Sequence, residues 1–176
     1  MKKVLCFGIA LFVLSGCGGG GPQQQASSQD KKISRMANKQ VTPEDLAKVD
    51  KLLTEGTILF AKGHIPAALK TFDDAIQLNP KDPRGYISLG EAYLKIKKLD
   101  PAIDTFQLLL SIAPDNAQAN YFLGMAHGLK GERDVALRYA QRSFLLAKDQ
   151  NNKEVLVRAA TLLKGLNQAE QTTDGK

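Results

Sequence analysis

Tryptophan is absent, and cysteine and histidine occur only twice each. Both cysteines, Cys6 and Cys17, lie near the N-terminus. The body of the chain therefore has neither a disulfide framework nor a cysteine-based metal site. His64 and His127 are too few and too widely spaced for a histidine metal site. Long apolar runs are also missing. The longest, Val4–Leu14, has about eleven residues, short of the ~20 that span a bilayer. Runs of alternating β-branched residues, the usual mark of strands, do not occur. Neither charge sign dominates where it would matter: 24 basic residues face 18 acidic ones overall, but residues 49–150 carry 13 against 12. Such a balance gives no clustered basic face for nucleic acid. What is present, 43% hydrophobic and 24% charged residues over 176 positions, fits one globular domain with tails.

The N-terminus reads Met1-Lys2-Lys3, then the apolar run, then Leu14-Ser15-Gly16-Cys17. A short basic stretch before a brief apolar one is a secretory signal pattern, and the last four residues resemble the lipobox of bacterial lipoproteins. That resemblance implies removal of residues 1–16 and attachment of diacylglycerol to the sulfur of Cys17. Small residues before the cut suit an extended chain in a protease cleft, and the cysteine supplies the nucleophile. Cys6 would leave with the signal and Cys17 would be consumed, so the mature chain would hold no free thiol. Gly18 stands where an inner-membrane retention signal of enteric-type bacteria has Asp, which implies an outer-membrane protein facing the periplasm; in a single-membrane bacterium the same signal implies the outer face of the cytoplasmic membrane.

Residues 17–42 then read as a lipidated cysteine and a tether. Four consecutive glycines, Pro22, three consecutive glutamines and few large apolar residues bury too little surface to offset the entropy of ordering. A flexible chain of this length has an r.m.s. span of about 28 Å. Lys31, Lys32, Arg35 and Lys39 read as solvated charges rather than lipid contacts. Thr42-Pro43-Glu44-Asp45 marks the change of regime: an N-cap, a proline for the first helical position, and acidic residues for the positive end of the helix dipole.

From there the chain repeats every 34 residues. Gly56, Gly90 and Gly124 share one phase; Ala68, Ala102 and Ala136 another; Phe72 pairs with Phe106, Gly63 with Gly131, and Pro80 with Pro114. Breaks are expected at Gly63-His64, Asn79–Pro83, Leu99-Asp100, Pro114–Asn116, Gly131 and Asp149–Asn152. Period and pattern resemble the tetratricopeptide repeat, over units 49–82, 83–116 and 117–150. The middle unit matches best, with Tyr86, Leu89, Gly90, Tyr93, Ala102, Phe106 and Pro114 in phase. Glu55 departs in the first unit, and Asn120, His127, Ala140 and Lys148 in the third. The expected fold is an all-α solenoid of three helix pairs over residues 43–166, closed by a capping helix at 151–166, with 167–176 as a tail without periodicity.

No catalytic constellation emerges. His64 reads as a solvated turn residue and His127 as a packed histidine with one hydrogen-bond partner. Asp73 and Asp74 are adjacent on a helix and point about 100° apart. Phosphate loops, metal-ligand spacings and nucleophile elbows are not found, so no enzyme activity, cofactor, metal or nucleic-acid partner is expected. What the resemblance implies instead is a groove lined by the first helix of each pair, taking a protein or peptide in the envelope. By phase its residues are Asp50, Leu53, Thr57 and Phe60; Arg84, Ile87, Glu91, Leu94 and Lys95; and Gln118, Tyr121, Met125 and Leu129. Leu53, Ile87 and Tyr121 form an apolar row. The lysines, asparagines and arginine of chaperone-binding carboxylate-clamp domains are replaced by Leu53, Thr57, Ser88 and Phe122. The function this implies is a lipid-anchored, non-catalytic adaptor in envelope assembly, of a pilus or murein machinery for example. A self-associating structural lipoprotein, a homodimer for instance, is the alternative, and an enzyme with an unrecognised site a remote one.

Overall fold

A computed structural model describes residues 40–171, with side chains to residue 168. The signal-like segment, Cys17 and nearly all of the tether lie outside the described residues. Seven helices follow one another: α1 (Pro43–Ala61), α2 (Ile65–Leu78), α3 (Pro83–Lys95), α4 (Leu99–Ile112), α5 (Ala117–Leu129), α6 (Arg133–Asp149) and α7 (Lys153–Gln171). They form three antiparallel pairs, α1/α2, α3/α4 and α5/α6, with α7 packed on the last. The fold is the all-α solenoid expected, and none of the described helices is long and apolar enough to cross a membrane.

Local chemistry sets each boundary. The first helices start on side-chain caps. Thr42 and Asp45 bond reciprocally at α1, with Asp45 N donating to Thr42 Oγ1 at 3.1 Å and Thr42 N donating to Asp45 Oδ2 at 3.0 Å. Asp82, Asn116 and Asn152 accept from the amides of Arg84, Ala119 and Val155. Second helices start without a side-chain cap, each two residues after a left-handed position: Gly63 (φ 81°), Lys97 (φ 59°) and Gly131 (φ 80°). The middle break therefore falls at Ile96–Lys98 and not at Leu99-Asp100, which open α4. A lysine in the left-handed turn conceals it in sequence. Pro101 does not stop the helix either, because a first-turn residue has no intrahelical donor to lose.

The terminal helix also differs from expectation. It runs to Gln171, five residues past the boundary at Leu166, since Asn-Gln-Ala-Glu-Gln contains no helix breaker. Its cap, Asn152, lies 36 residues after Asn116, whereas Asn116 lies 34 after Asp82. The difference of two arises because α6 is three residues longer than α4, 17 against 14, while the connection after it is one residue shorter.

Within the pairs, glycine faces phenylalanine. A Cβ on Gly90 would stand 2.3 Å from the Phe106 ring, and one on Gly56 would stand 2.5 Å from Phe72. Phe106 stacks on its other side against Phe122 of the next pair, centroids 5.0 Å apart, so one ring joins two units. In the third pair that phase is Ala140. Here α5 and α6 approach until a Cβ on Gly124 would lie 3.1 Å from the Ala136 carbonyl, and Leu162 of α7 reaches the same spot. Ala68, Ala102 and Ala136 are fully buried.

Candidate functional site: the first-helix face

The first helices lie side by side and share one face. Arg84 on α3 ties α3 to α1, its Nη1 2.7 Å from Asp50 Oδ1, while its other nitrogens hold Asp82. Burial alone would raise the Asp82 pKa, but hydrogen bonds from the Arg84 side chain and amide outweigh it and lower it. Asp82 and Asp50 in turn raise the pKa of Arg84 further. Arg84 is thus a structural clamp at the end of the face, and its exposed location leaves it a modest stabiliser.

Leu53, Ile87 and Tyr121 are all half-buried and recur at one phase, one on each first helix. Between α1 and α3 the face deepens into a cleft of about 260 Å³ lined by Thr57, Phe60, Ala61, Phe72, Ser88, Glu91, Ala92 and Lys95. The Lys95 ammonium sits 5.6 Å from the Phe60 ring centroid. Glu91 is half-buried with no ion-pair partner among the described residues. At the other end Tyr121 donates to Met125 Sδ at 3.9 Å, and Gln118 lines a shallow recess beside Pro114 and Asn152. Leu129 closes the row at the end of α5, 63% exposed.

Two residues named by phase lie elsewhere. Leu94 belongs to the core, packed with Ala102, Ile103 and Phe106, because it points toward α4 rather than outward. Phe122 is 2% exposed, sandwiched between Phe106 and the Arg158 guanidinium. Arg158 itself was not expected on this face. It reaches from α7 over Tyr121, 5.1 Å from the ring centroid. Its signal is visible only once the two extra residues before α7 are counted, which carries Phe122 onto Arg158.

The titratable side chains do not converge. Asp73 is bonded by Gln77 and Asp74 by Lys70, each at 2.6 Å, and His64 is exposed. His127 is packed: its Nδ1 pairs with Glu132, its ring stacks on Tyr139, and its Nε2 is buried without a partner. The Glu132 pKa is lowered by His127 first and by Lys130 next. Asn120, which replaces the tyrosine of the middle unit, donates to the Asn116 carbonyl and leaves Oδ1 buried and unpaired. Among the described residues no group of three or more His, Cys, Asp or Glu could hold a metal ion.

Comparison with known proteins supports the class that this geometry defines. The tetratricopeptide repeat family matches residues 59–126. Protein O-mannosyl-transferase TMTC1 of Homo sapiens is 26% identical over 148 residues, which are 81% of this chain and 17% of that protein. The tetratricopeptide repeat and J domain-containing co-chaperone DNJ1 of Cryptococcus neoformans is 30% identical over 105 residues, 59% of this chain and 20% of that protein. The chain thus spans about a fifth of the length of these curated relatives. The TPR2B domain of yeast Sti1, solved in complex with pHsp70, superposes with a TM-score of 0.64 at 23% identity, covering 70% of this chain and 98% of that one. The fold is that of a tetratricopeptide-type solenoid.

Proposed function

We propose that this protein is a lipid-anchored, non-catalytic adaptor that holds a protein segment on its first-helix face at the bacterial envelope. One observation carries the reading: the apolar row Leu53, Ile87 and Tyr121 continues into the cleft over Phe60 and Phe72, on a face where, of the described elements, α7 reaches over Tyr121 through Arg158. Such a row takes the apolar side of an amphipathic helix or an extended peptide. The complex of the Sti1 domain with pHsp70 supports the use of this fold for binding protein segments. The Sti1 partner itself does not transfer, since Leu53, Thr57 and Ser88 occupy the positions of a carboxylate clamp.

The anchor rests on Leu14-Ser15-Gly16-Cys17, and the outer membrane on Gly18. Two or three acyl chains at ~0.8 kcal/mol per buried CH₂ give stable attachment. A tagged full-length protein and its Ile87→Glu/Tyr121→Glu variant, each extracted from envelopes in detergent, test both parts. A protein recovered with the wild type and lost with the equally stable variant is the expected outcome. Equal recovery by both removes the groove from the account. Palmitate labelling that survives Cys17→Ser removes the anchor.

A further inference from the structure

The open end of the solenoid shows where a further element fits. On α3, the buried residues Gly85, Tyr86, Leu89 and Ala92 receive the preceding helix α2. A Cβ on Gly85 would lie 2.8 Å from Ile76 Cγ1, and the Tyr86 hydroxyl donates to the Pro80 carbonyl at 3.0 Å. One repeat earlier, α1 presents Lys51, Leu52, Glu55 and Ile58 at the same positions. No described helix precedes α1, so Ile58 is 49% exposed and Leu59 only half-buried. Asp50, Lys51, Thr54, Glu55, Ile58, Leu59 and Lys62 line an open recess of about 640 Å³. Glu55 has no ion-pair partner among the described residues, whereas Asp50 is held by Arg84.

We propose that this recess is the docking site of the chain's own segment Ile33–Lys39, laid antiparallel along α1. Connectivity delivers the segment, because it joins the helix through Gln40, Val41 and Thr42. Ile58 lies 16 residues beyond Thr42, about 24 Å along the helix at 1.5 Å per residue. A polyproline-II-like chain rising ~3.1 Å per residue covers that distance in about eight residues, which brings Ile33 and Met36 to either side of Ile58. With three residues per turn, Ile33 and Met36 face the same way, toward Ile58 and Leu59. Arg35 then comes abreast of the unpaired Glu55, in a recess whose other carboxylate, Asp50, is held by Arg84 and whose lysines are Lys51 and Lys62. Ile33 and Met36 are also the only large apolar side chains between Pro22 and Val41. A solvated linker has no need of them.

The docking stands on the recess and the connection alone. Its consequence for reach rests on the lipid-anchor reading: residues 18–32 remain as the free tether, and the r.m.s. span falls from about 28 Å to about 21 Å.

Trypsin cutting after Arg35 and Lys39 in the full chain reads the docking. The expected result is cleavage at least fivefold slower in the wild type than in Ile58→Lys or Glu55→Lys. Both substitutions fall on exposed positions, and thermal unfolding checks that the fold is kept. In Ile58→Lys/Ile33→Glu an opposite-charge pair replaces the apolar contact, and slow cleavage should return. Equal rates in wild type and Ile58→Lys overturn the proposal. Protection that grows with protein concentration also overturns it, since a second copy then fills the recess. Failure of anchoring shows in Cys17→Ser fractionation and leaves these cleavage rates unchanged.

Discussion

Lys97 holds φ 59° at the position that glycine occupies in the other two units. A left-handed conformation brings the Cβ of an L-residue against the following carbonyl, at a cost of roughly 1–2 kcal/mol. Glycine relieves that strain and loses part of the gain through its freer unfolded chain. Lys97→Gly should therefore stabilise the protein by about 0.5–1 kcal/mol, read as a higher midpoint in chemical denaturation with an unchanged slope. Nothing rests on the lysine side chain, which is exposed and makes no ion pair among the described residues. Leu94 gives the opposite lesson about single residues. Its phase places it on the shared face, and only its packing on Ala102 and Phe106 shows that it points inward.

At the scale of the element, the helix pair is governed by what stands opposite its glycine. In the second pair that is Phe106, fully buried and stacked on Phe122, with no room to retreat. Gly90→Ala should cost about 2–3 kcal/mol through overpacking, despite the better helix propensity of alanine. In the third pair the opposing residue is Ala140, and the nearest atoms to a Cβ on Gly124 lie 3.1–3.2 Å away. There the propensity gain offsets most of the clash, so Gly124→Ala should fall within about 1 kcal/mol of wild type. Parallel denaturant titrations of the two variants measure the difference. The departures of the third unit are thus a change of packing rather than decay: a small residue replaces the ring, and Leu162 of α7 fills the space.

For the whole molecule, the decisive element is α7. Val155 packs with Ala117 and Ala147, Leu162 reaches Gly124, and Arg133 Nε donates to the Leu166 carbonyl at 2.9 Å. Solenoid units are stabilised by their neighbours, so a terminal helix supports the unit before it. A chain ended at Asn152 uncovers Leu156, Leu162, Leu163 and Leu166 contacts that are each about half-buried. At 1.5–3 kcal/mol for a fully buried leucine, the expected loss is on the order of 4 kcal/mol. Thermal unfolding followed by circular dichroism should show a clear fall in Tm, with α5 and α6 losing amide protection first. The other end differs in kind. There α1 keeps an apolar recess with Ile58 exposed, and residues 33–39 are its proposed cover.

The sequence alone carried the helical class, the 34-residue period, the starting cap at Thr42 and the apolar row Leu53, Ile87 and Tyr121. All of these follow from spacing, because a repeating unit prints its contacts at a fixed interval. The break at Ile96–Lys98 escaped it, since a lysine can occupy a left-handed turn without the glycine that announces one. The inward turn of Leu94, the reach of Arg158 across Tyr121 and the burial of Phe122 were equally hidden. Each depends on how far neighbouring helices approach and on the two residues added before α7, which shift it against the period. Spacing determines which residues share a helix face. Only the distance between packed helices decides which of them remain open to a partner.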